Sequence, residues 1–259
     1  QRVRARTMKG KTAIWGYAGV WPGEFGVWQG DRTMNMLRFL ADYGFESGSI
    51  GIGEMRDPAR RDEIAAFVDM HELRLGVGVH MKWIEVDDDE ARRQTERFLE
   101  ELSVYHSLLH TPIVTTGAGR VHRFLNDPPL EKQLEVLSKR LGPIAAGCNE
   151  LGIPFGIENH GDYYCRDLIR LCNDTPHLGI FLDTGNTCLI GEQSVPACVE
   201  AAPYVVGTHF KDHYVHPDPQ QLAFVIEGAP LCAGHVGLAE IYRALLDNAP
   251  GDLVLQWEM

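Results

Sequence analysis

Long apolar runs are missing. Nowhere among the 259 residues do about eighteen apolar residues follow one another, so no membrane-spanning helix is expected. Positive charge is also scarce: 24 Lys and Arg face 36 Asp and Glu, a formal net charge of −12. On average that repels a polyphosphate backbone or an anionic lipid surface, and neither a nucleic-acid nor a membrane partner is expected. Cysteine is sparse and late in the chain. Cys148, Cys165, Cys172, Cys188, Cys198 and Cys232 show no CxxC spacing, which argues against a disulfide framework or a thiolate zinc site and leaves free thiols. No GxGxxG follows the first strand-like segment, and no strand–helix junction reads as a phosphate loop. Repeats, low-complexity tracts and Pro/Gly-rich linkers are absent too, so one domain spanning 1–259 is expected. The N-terminal QRVRARTMKG is basic but has no apolar segment behind it, which together with the composition points to a soluble, cytoplasmic protein.

What is present is alternation. Short apolar or β-branched segments predict eight strands: Thr12–Gly16, Phe45–Ile50, Leu73–Val79, Ile113–Thr116, Pro154–Glu158, Leu178–Asp183, Val205–Lys211 and Leu253–Glu258. Between them, helical periodicity predicts seven helices, roughly Asp31–Tyr43, Pro58–His71, Asp88–Leu109, Pro129–Leu151, Arg166–Cys172, Ser194–Ala202 and Leu238–Asn248. Eight strands with seven crossover helices in this length predict an α/β chain folded as a (β/α)8 TIM barrel. The eighth helix would then lie beyond Met259. With Gln at position 1 and the first methionine at Met8, trimmed ends are expected. The Pro-bearing stretches Asn126–Leu130 and His216–Pro219 are expected to be loops over the barrel mouth.

In such a barrel, function sits at the C-terminal ends of the strands. Glu158 (GIENH), Asp183 (FLDTGN), His209 (THFKDH) and Glu258 (LQWEM) end or nearly end strands five to eight. Any one of these acids would serve equally as a helix cap. Four on consecutive strands instead point to a mostly oxygen site for one divalent metal ion: Mn²⁺ first, with Mg²⁺, Co²⁺ or Zn²⁺ as alternatives. Two carboxylates beside a metal-polarised carbonyl suit removal and return of the weakly acidic proton next to a ketone.

The motifs GIENHGD, FLDTGN, THFKDH and a terminal WE resemble the xylose-isomerase-like TIM barrels of the sugar phosphate isomerase/epimerase family, most strongly from Pro154 to Glu258. That group includes ketose 3-epimerases, hydroxypyruvate isomerase and inosose dehydratase. The resemblance implies that Glu158, Asp183, His209 and Glu258 bind one cation, with Glu158 and Glu258 as the acid/base pair through a metal-stabilised enediolate. It further implies a small keto sugar or keto-sugar acid as substrate and a homo-oligomer, dimer or tetramer.

The departures from the family matter. Asn186 stands where ketose 3-epimerases carry a substrate-contacting His, no Arg stands shortly after His209, where the sequence reads Lys211, Asp212 and His213, and the loop before the last helix reads CAGHVG without its usual acids. The segment His209-Phe-Lys211-Asp212 is more like the dehydratase and acid-processing branches. A lyase (dehydratase, eliminase or decarboxylase) on a keto-sugar acid is therefore the alternative to an isomerase or epimerase. Lys211 would act on a substrate oxygen or a leaving group, or else pair with Asp212 or Glu258. His80, His160, Asn186, Trp15 and Trp257 are the expected substrate-binding residues, the tryptophans as stacking walls for a sugar. An abasic-site endonuclease is disfavoured by the charge, and a non-catalytic metal-binding subunit by the two well-placed glutamates.

Overall fold

The computed structural model describes residues 13–18 and 30–258. Thr12, which opens the first expected strand, and both chain ends lie outside these residues. Parallel strands joined by helices have two faces to cover, and closing into a barrel covers one of them with the strands' own side chains. Ten strands are described: β1 (Ala13–Ala18), β2 (Ser47–Gly51), β3 (Arg74–Gly78), β4 (Val114–Thr116), β5 (Phe155–Glu158), β6 (Leu178–Asp183), β7 (Val205–Phe210), β8 (Asp212–Pro217), β9 (Phe224–Ala229) and β10 (Leu253–Glu258). All but β8 and β9 form a closed parallel barrel in the order β1-β10-β7-β6-β5-β4-β3-β2. The fold is the expected (β/α)8 TIM barrel.

The helices are α1 (Arg32–Tyr43), α2 (Pro58–His71), α3 (Asp88–Tyr105), α4 (Leu130–Glu150), α5 (Cys165–Asp174), the one-turn α6 (Asn186–Leu189), α7 (Ser194–Ala201) and α8 (Leu238–Asn248). Their starts follow from side chains that satisfy the free N–H groups of a first turn. Asp31, Asp57 and Asp87 accept from Met34, Arg60 and Glu90 at 3.0, 2.8 and 2.8 Å, and Pro58 opens α2 where no N–H is needed. α1 stops at Gly44, whose φ of 76° is the left-handed cap that glycine adopts without strain.

Three expectations need correction. The stretch His216–Pro219 is not wholly loop, because His216 and Pro217 end β8, which pairs antiparallel with β9, Asp212 opposite Ala229 and Pro217 opposite Phe224. Proline is tolerated there because it closes the last position of a two-stranded edge. The third helix ends at Tyr105, short of Leu109, and the short α6 is an addition to the seven expected.

Apolar packing is divided by the barrel wall. Inside it, Ile14, Ile113, Phe181 and Val254 form a small cluster with Val206 against them, while the larger core fills the space between strands and helices. Gly207 makes the interior cluster possible, since a Cβ there would sit 2.9 Å from the Phe181 ring. The β6–β7 register shifts between Ile180 and Phe181, and beyond the shift Asp183 lies directly opposite His209. That irregularity sets two expected ligands side by side at the mouth.

Candidate metal centre

Alternation along a strand fixes which residues face the barrel axis. On β10, Val254 belongs to the interior cluster, so Gln256 and Glu258 share its face. Glu158, Asp183 and His209 stand at or next to the ends of β5, β6 and β7, which form with β10 the contiguous run β5-β6-β7-β10 of the barrel. The structure brings all four together: one ligand atom from each of Glu158, Asp183, His209 and Glu258 lies within 4.8 Å of the others.

His209 is the hub. Its Nδ1 lies 2.9 Å from Glu158 Oε1 and 3.1 Å from Glu258 Oε2, and the edge of its ring meets Phe181 at 4.7 Å between centroids, which holds the ring plane. Lys211, one residue past β7, reaches back so that Nζ lies 3.0 Å from Asp183 Oδ2 and 3.1 Å from Glu258 Oε2. Of the two pairings expected for Lys211, the one with Glu258 forms. Asp212 instead accepts backbone N–H groups of His213, Gly234 and Val236 at 2.9, 3.0 and 3.2 Å, tying the hairpin to the loop before α8.

The electrostatics are those of opposed charges in a desolvated place. Burial pushes the Glu158 carboxyl up, but the His209 hydrogen bond and charge, with His160 and Lys211, outweigh it and hold the group below its ordinary value. Burial alone would lower His209 and Lys211; the surrounding carboxylates raise both. Asp183 goes the other way, because its complete burial outweighs the attraction of Lys211 and His209.

The donor set fits a divalent cation. Three carboxylates and an imidazole supply hard oxygen and one nitrogen. Asp183 Oδ2 and Glu258 Oε2 are buried oxygens that no well-angled hydrogen bond satisfies, although Lys211 lies close to both. Buried carboxylate oxygens of that kind call for a cation.

The remaining expected residues separate. His80 and His160 are exposed at the mouth, His160 near enough for its charge to favour ionised Glu158 and His80 with its ring over Gly78. Asn186 is 3% exposed, and its side chain donates to Asn159 O at 2.9 Å, so it is a buried structural amide and is not turned to the pocket. Trp15 and Trp257 face the helix layer: their rings meet at 6.1 Å, Trp15 also packs on Tyr242 and Trp257 on Phe45. Their strand neighbours Ile14 and Val254 face the axis, so strand parity turns the tryptophans outward. Sequence reasoning missed Asn159 and Thr184 and the backbone-tying role of Asp212. Thr184 Oγ1 donates to Lys211 O at 2.7 Å and accepts from Lys211 N at 2.9 Å, holding the lysine's backbone against β6.

A family model described as xylose isomerase-like TIM barrel matches residues 37–258. The chain belongs to that family. No curated protein sequence matches it. Among solved members of this fold, the probable 3-DHS dehydratase AsbF of Bacillus anthracis is 13% identical, with 95% of this chain and 92% of that chain covered and a TM-score of 0.66. A xylose isomerase-like TIM barrel protein from Mycobacterium smegmatis, solved in complex with magnesium, is 17% identical over 89% and 81% of the two chains, TM-score 0.65. The 3-keto-D-glucoside 4-epimerase YcjR of E. coli is 16% identical over 94% and 91%, TM-score 0.61. Among the described residues no helix is long and apolar enough to cross a membrane.

Proposed function

We propose that this chain is a divalent-metal-dependent isomerase or epimerase of a small keto sugar or sugar derivative, with Glu158, Asp183, His209 and Glu258 as metal ligands. One observation carries the reading: Glu158 and Glu258, from the two outer strands of the run β5-β6-β7-β10, reach the same His209 nitrogen at 2.9 and 3.1 Å. Two carboxylates thus approach one point from two sides. The oxygen-rich set favours Mn²⁺ or Mg²⁺, with Co²⁺ and Zn²⁺ as alternatives, and the Mycobacterium smegmatis relative solved with magnesium supports it. When bound, the ion supplies positive charge for the carbonyl oxygen as an adjacent proton leaves.

The protein's own groups do the rest. Glu158, held ionised by His209, is the base that takes the proton from the carbon beside the carbonyl; the C–H electron pair becomes the new carbon–carbon double bond. Glu258, entering the step protonated on the other side, gives its proton to the opposite face for epimerisation as the carbonyl re-forms; for isomerisation the proton goes to the former carbonyl carbon while the hydroxyl proton of the deprotonated carbon moves to the former carbonyl oxygen. Phe181 and Thr184 fix His209 and the Lys211 backbone, so neither has to reorganise during proton transfer.

Lys211 favours a second reading. An ammonium 3.0 to 3.1 Å from two of the candidate ligands is placed to donate to a departing oxygen. In a dehydration, the C–H pair forms the double bond as the carbon–oxygen bond breaks, and the hydroxyl leaves as water. The dehydratase among the structural neighbours supports this lyase on a keto-sugar acid. Product mass after incubation with keto sugars and keto-sugar acids in D₂O, with Mn²⁺ or with EDTA, separates the two. Deuterium at carbon in an otherwise unchanged product supports the isomerase or epimerase; metal-dependent loss of water or CO₂ replaces it with the lyase.

A further inference from the structure

Asp183 is the most tightly held of the four candidate ligands. Its Oδ1 accepts the backbone N–H groups of Gly185 and Asn186 at 2.8 and 3.0 Å. Only Oδ2 is left for the cluster, buried and without a well-angled hydrogen bond. The backbone of the same residue is held separately: Asn159 Nδ2 donates to Asp183 O at 2.8 Å, and Asn159 Oδ1 accepts from Asp183 N at 2.7 Å. An amide that pairs with both the N–H and the C=O of one residue reproduces a strand-to-strand pair. It does so where β5 has just ended at Glu158, so the tie continues the β5–β6 ladder one step farther. Asn186 closes the ring by donating Nδ2 to Asn159 O at 2.9 Å. Asn159, Asp183 and Asn186 are 2%, 0% and 3% exposed, so water does not compete for these bonds.

We propose that Asn159 and Asn186 are positioning residues that lock Asp183 as a single-oxygen ligand, presenting Oδ2 alone to the divalent cation. The inference rests on the metal-site reading. Without Asn159, the Asp183 peptide loses its donor and its acceptor beyond the last β5–β6 pair, and the carboxylate, still held at Oδ1, shifts with the loosened backbone. Removing Asn186's amide loosens Asn159 while every hydrogen bond of Asp183 itself stays in place. The two variants should therefore act in that order of severity.

The test is calorimetric titration of Mn²⁺ alone into the metal-stripped full chain, for the wild type, Asn159→Ala, Asn159→Asp and Asn186→Ala. Thermal unfolding confirms that each is folded, and the Co²⁺ absorption spectrum serves as a second readout. Outer-shell partners of metal ligands commonly account for about 10- to 100-fold in affinity, and Asn159→Ala should lose that much, with a changed Co²⁺ spectrum. Asn159→Asp keeps the acceptor for Asp183 N–H and should fall between it and the wild type. Asn186→Ala should lose less, and it carries the test if Asn159→Ala does not fold. Folded variants that bind Mn²⁺ within about threefold of wild type with unchanged Co²⁺ spectra overturn the positioning role and leave the metal site standing. A wild type that takes up no Mn²⁺ removes the metal site and the positioning role together.

Discussion

Replacing Lys211 by Met tests whether its ammonium offsets the buried carboxylates. The Lys211 and Glu258 side chains are 18% and 23% exposed, and that of Asp183 is 0%. Removing one partner of a buried charge pair is destabilising by about 3–5 kcal/mol. Protonation sets a ceiling: a carboxyl with an ordinary value of 3.8 takes up a proton at pH 7 for about 4 kcal/mol, so Asp183 escapes by that route if the electrostatic penalty is larger. Water reaches part of Glu258, so the metal-free loss should be about 2–4 kcal/mol. In a domain of this size that lowers the melting temperature by roughly 5–12 °C. The assay is thermal unfolding of wild type and Lys211→Met at pH 7, once in EDTA and once in excess Mn²⁺. The expected result is a large gap in EDTA that narrows in Mn²⁺, because the divalent ion supplies charge to the same oxygens. Melting temperatures within about 2 °C of each other in EDTA would show that the ammonium does not counter these carboxylates, and the electrostatic description of the site would be wrong.

Glu158→Gln and Glu258→Gln should each lower turnover by about 10²- to 10⁴-fold with the fold intact, read by deuterium wash-in; a variant retaining full exchange loses its assigned role. Gly185→Ala would place a methyl 2.7 Å from the His213 ring and 2.8 Å from Lys211 Cγ, so a loss of about 1–3 kcal/mol and displacement of Lys211 are expected. Unchanged melting and unchanged turnover would show that the loop gives way freely. Asp31 caps α1 and pairs with Arg60, whose hydrogen bond holds the Asp31 carboxyl below its ordinary 3.8. Its side chain is 43% exposed, so the pair is screened by solvent. Asp31→Asn keeps the cap and loses the pair, while Asp31→Ala loses both, a further loss of about 1 kcal/mol. A depressed carboxyl adds stability above its unfolded value and loses it as pH falls through its folded one. The gap between wild type and Asp31→Asn should therefore close in acid below 3.8, and a gap that widens there refutes the pairing.

The barrel was legible because its strands are short, β-branched and regularly spaced between amphipathic segments, and because four chemical residues end consecutive strands. The hairpin was harder to see. Phe224–Ala229 contains a strand-like FVIE, but nothing local pairs it with the segment before it, whose HPDP prolines read as loop. Proximity to strand ends suggests Trp15 and Trp257 as pocket walls, but parity decides: a residue next to an inward Glu258 must point outward. The family counterpart of Asn186 suggests a substrate contact, yet an amide that short, beginning α6, finds the Asn159 carbonyl within reach. The roles of Asn159, Thr184 and Asp212 depend on backbone groups that come together only after folding, and a single sequence does not display those.

In the proposed site, Glu158, Asp183, His209 and Glu258 would jointly hold one divalent cation at the mouth of the barrel. Diffraction from Mn²⁺-soaked crystals, recorded at the manganese absorption edge, tests it directly. One strong anomalous peak within bonding distance of all four residues is expected. A peak elsewhere, or none at a manganese concentration that saturates the protein in solution, would contradict it.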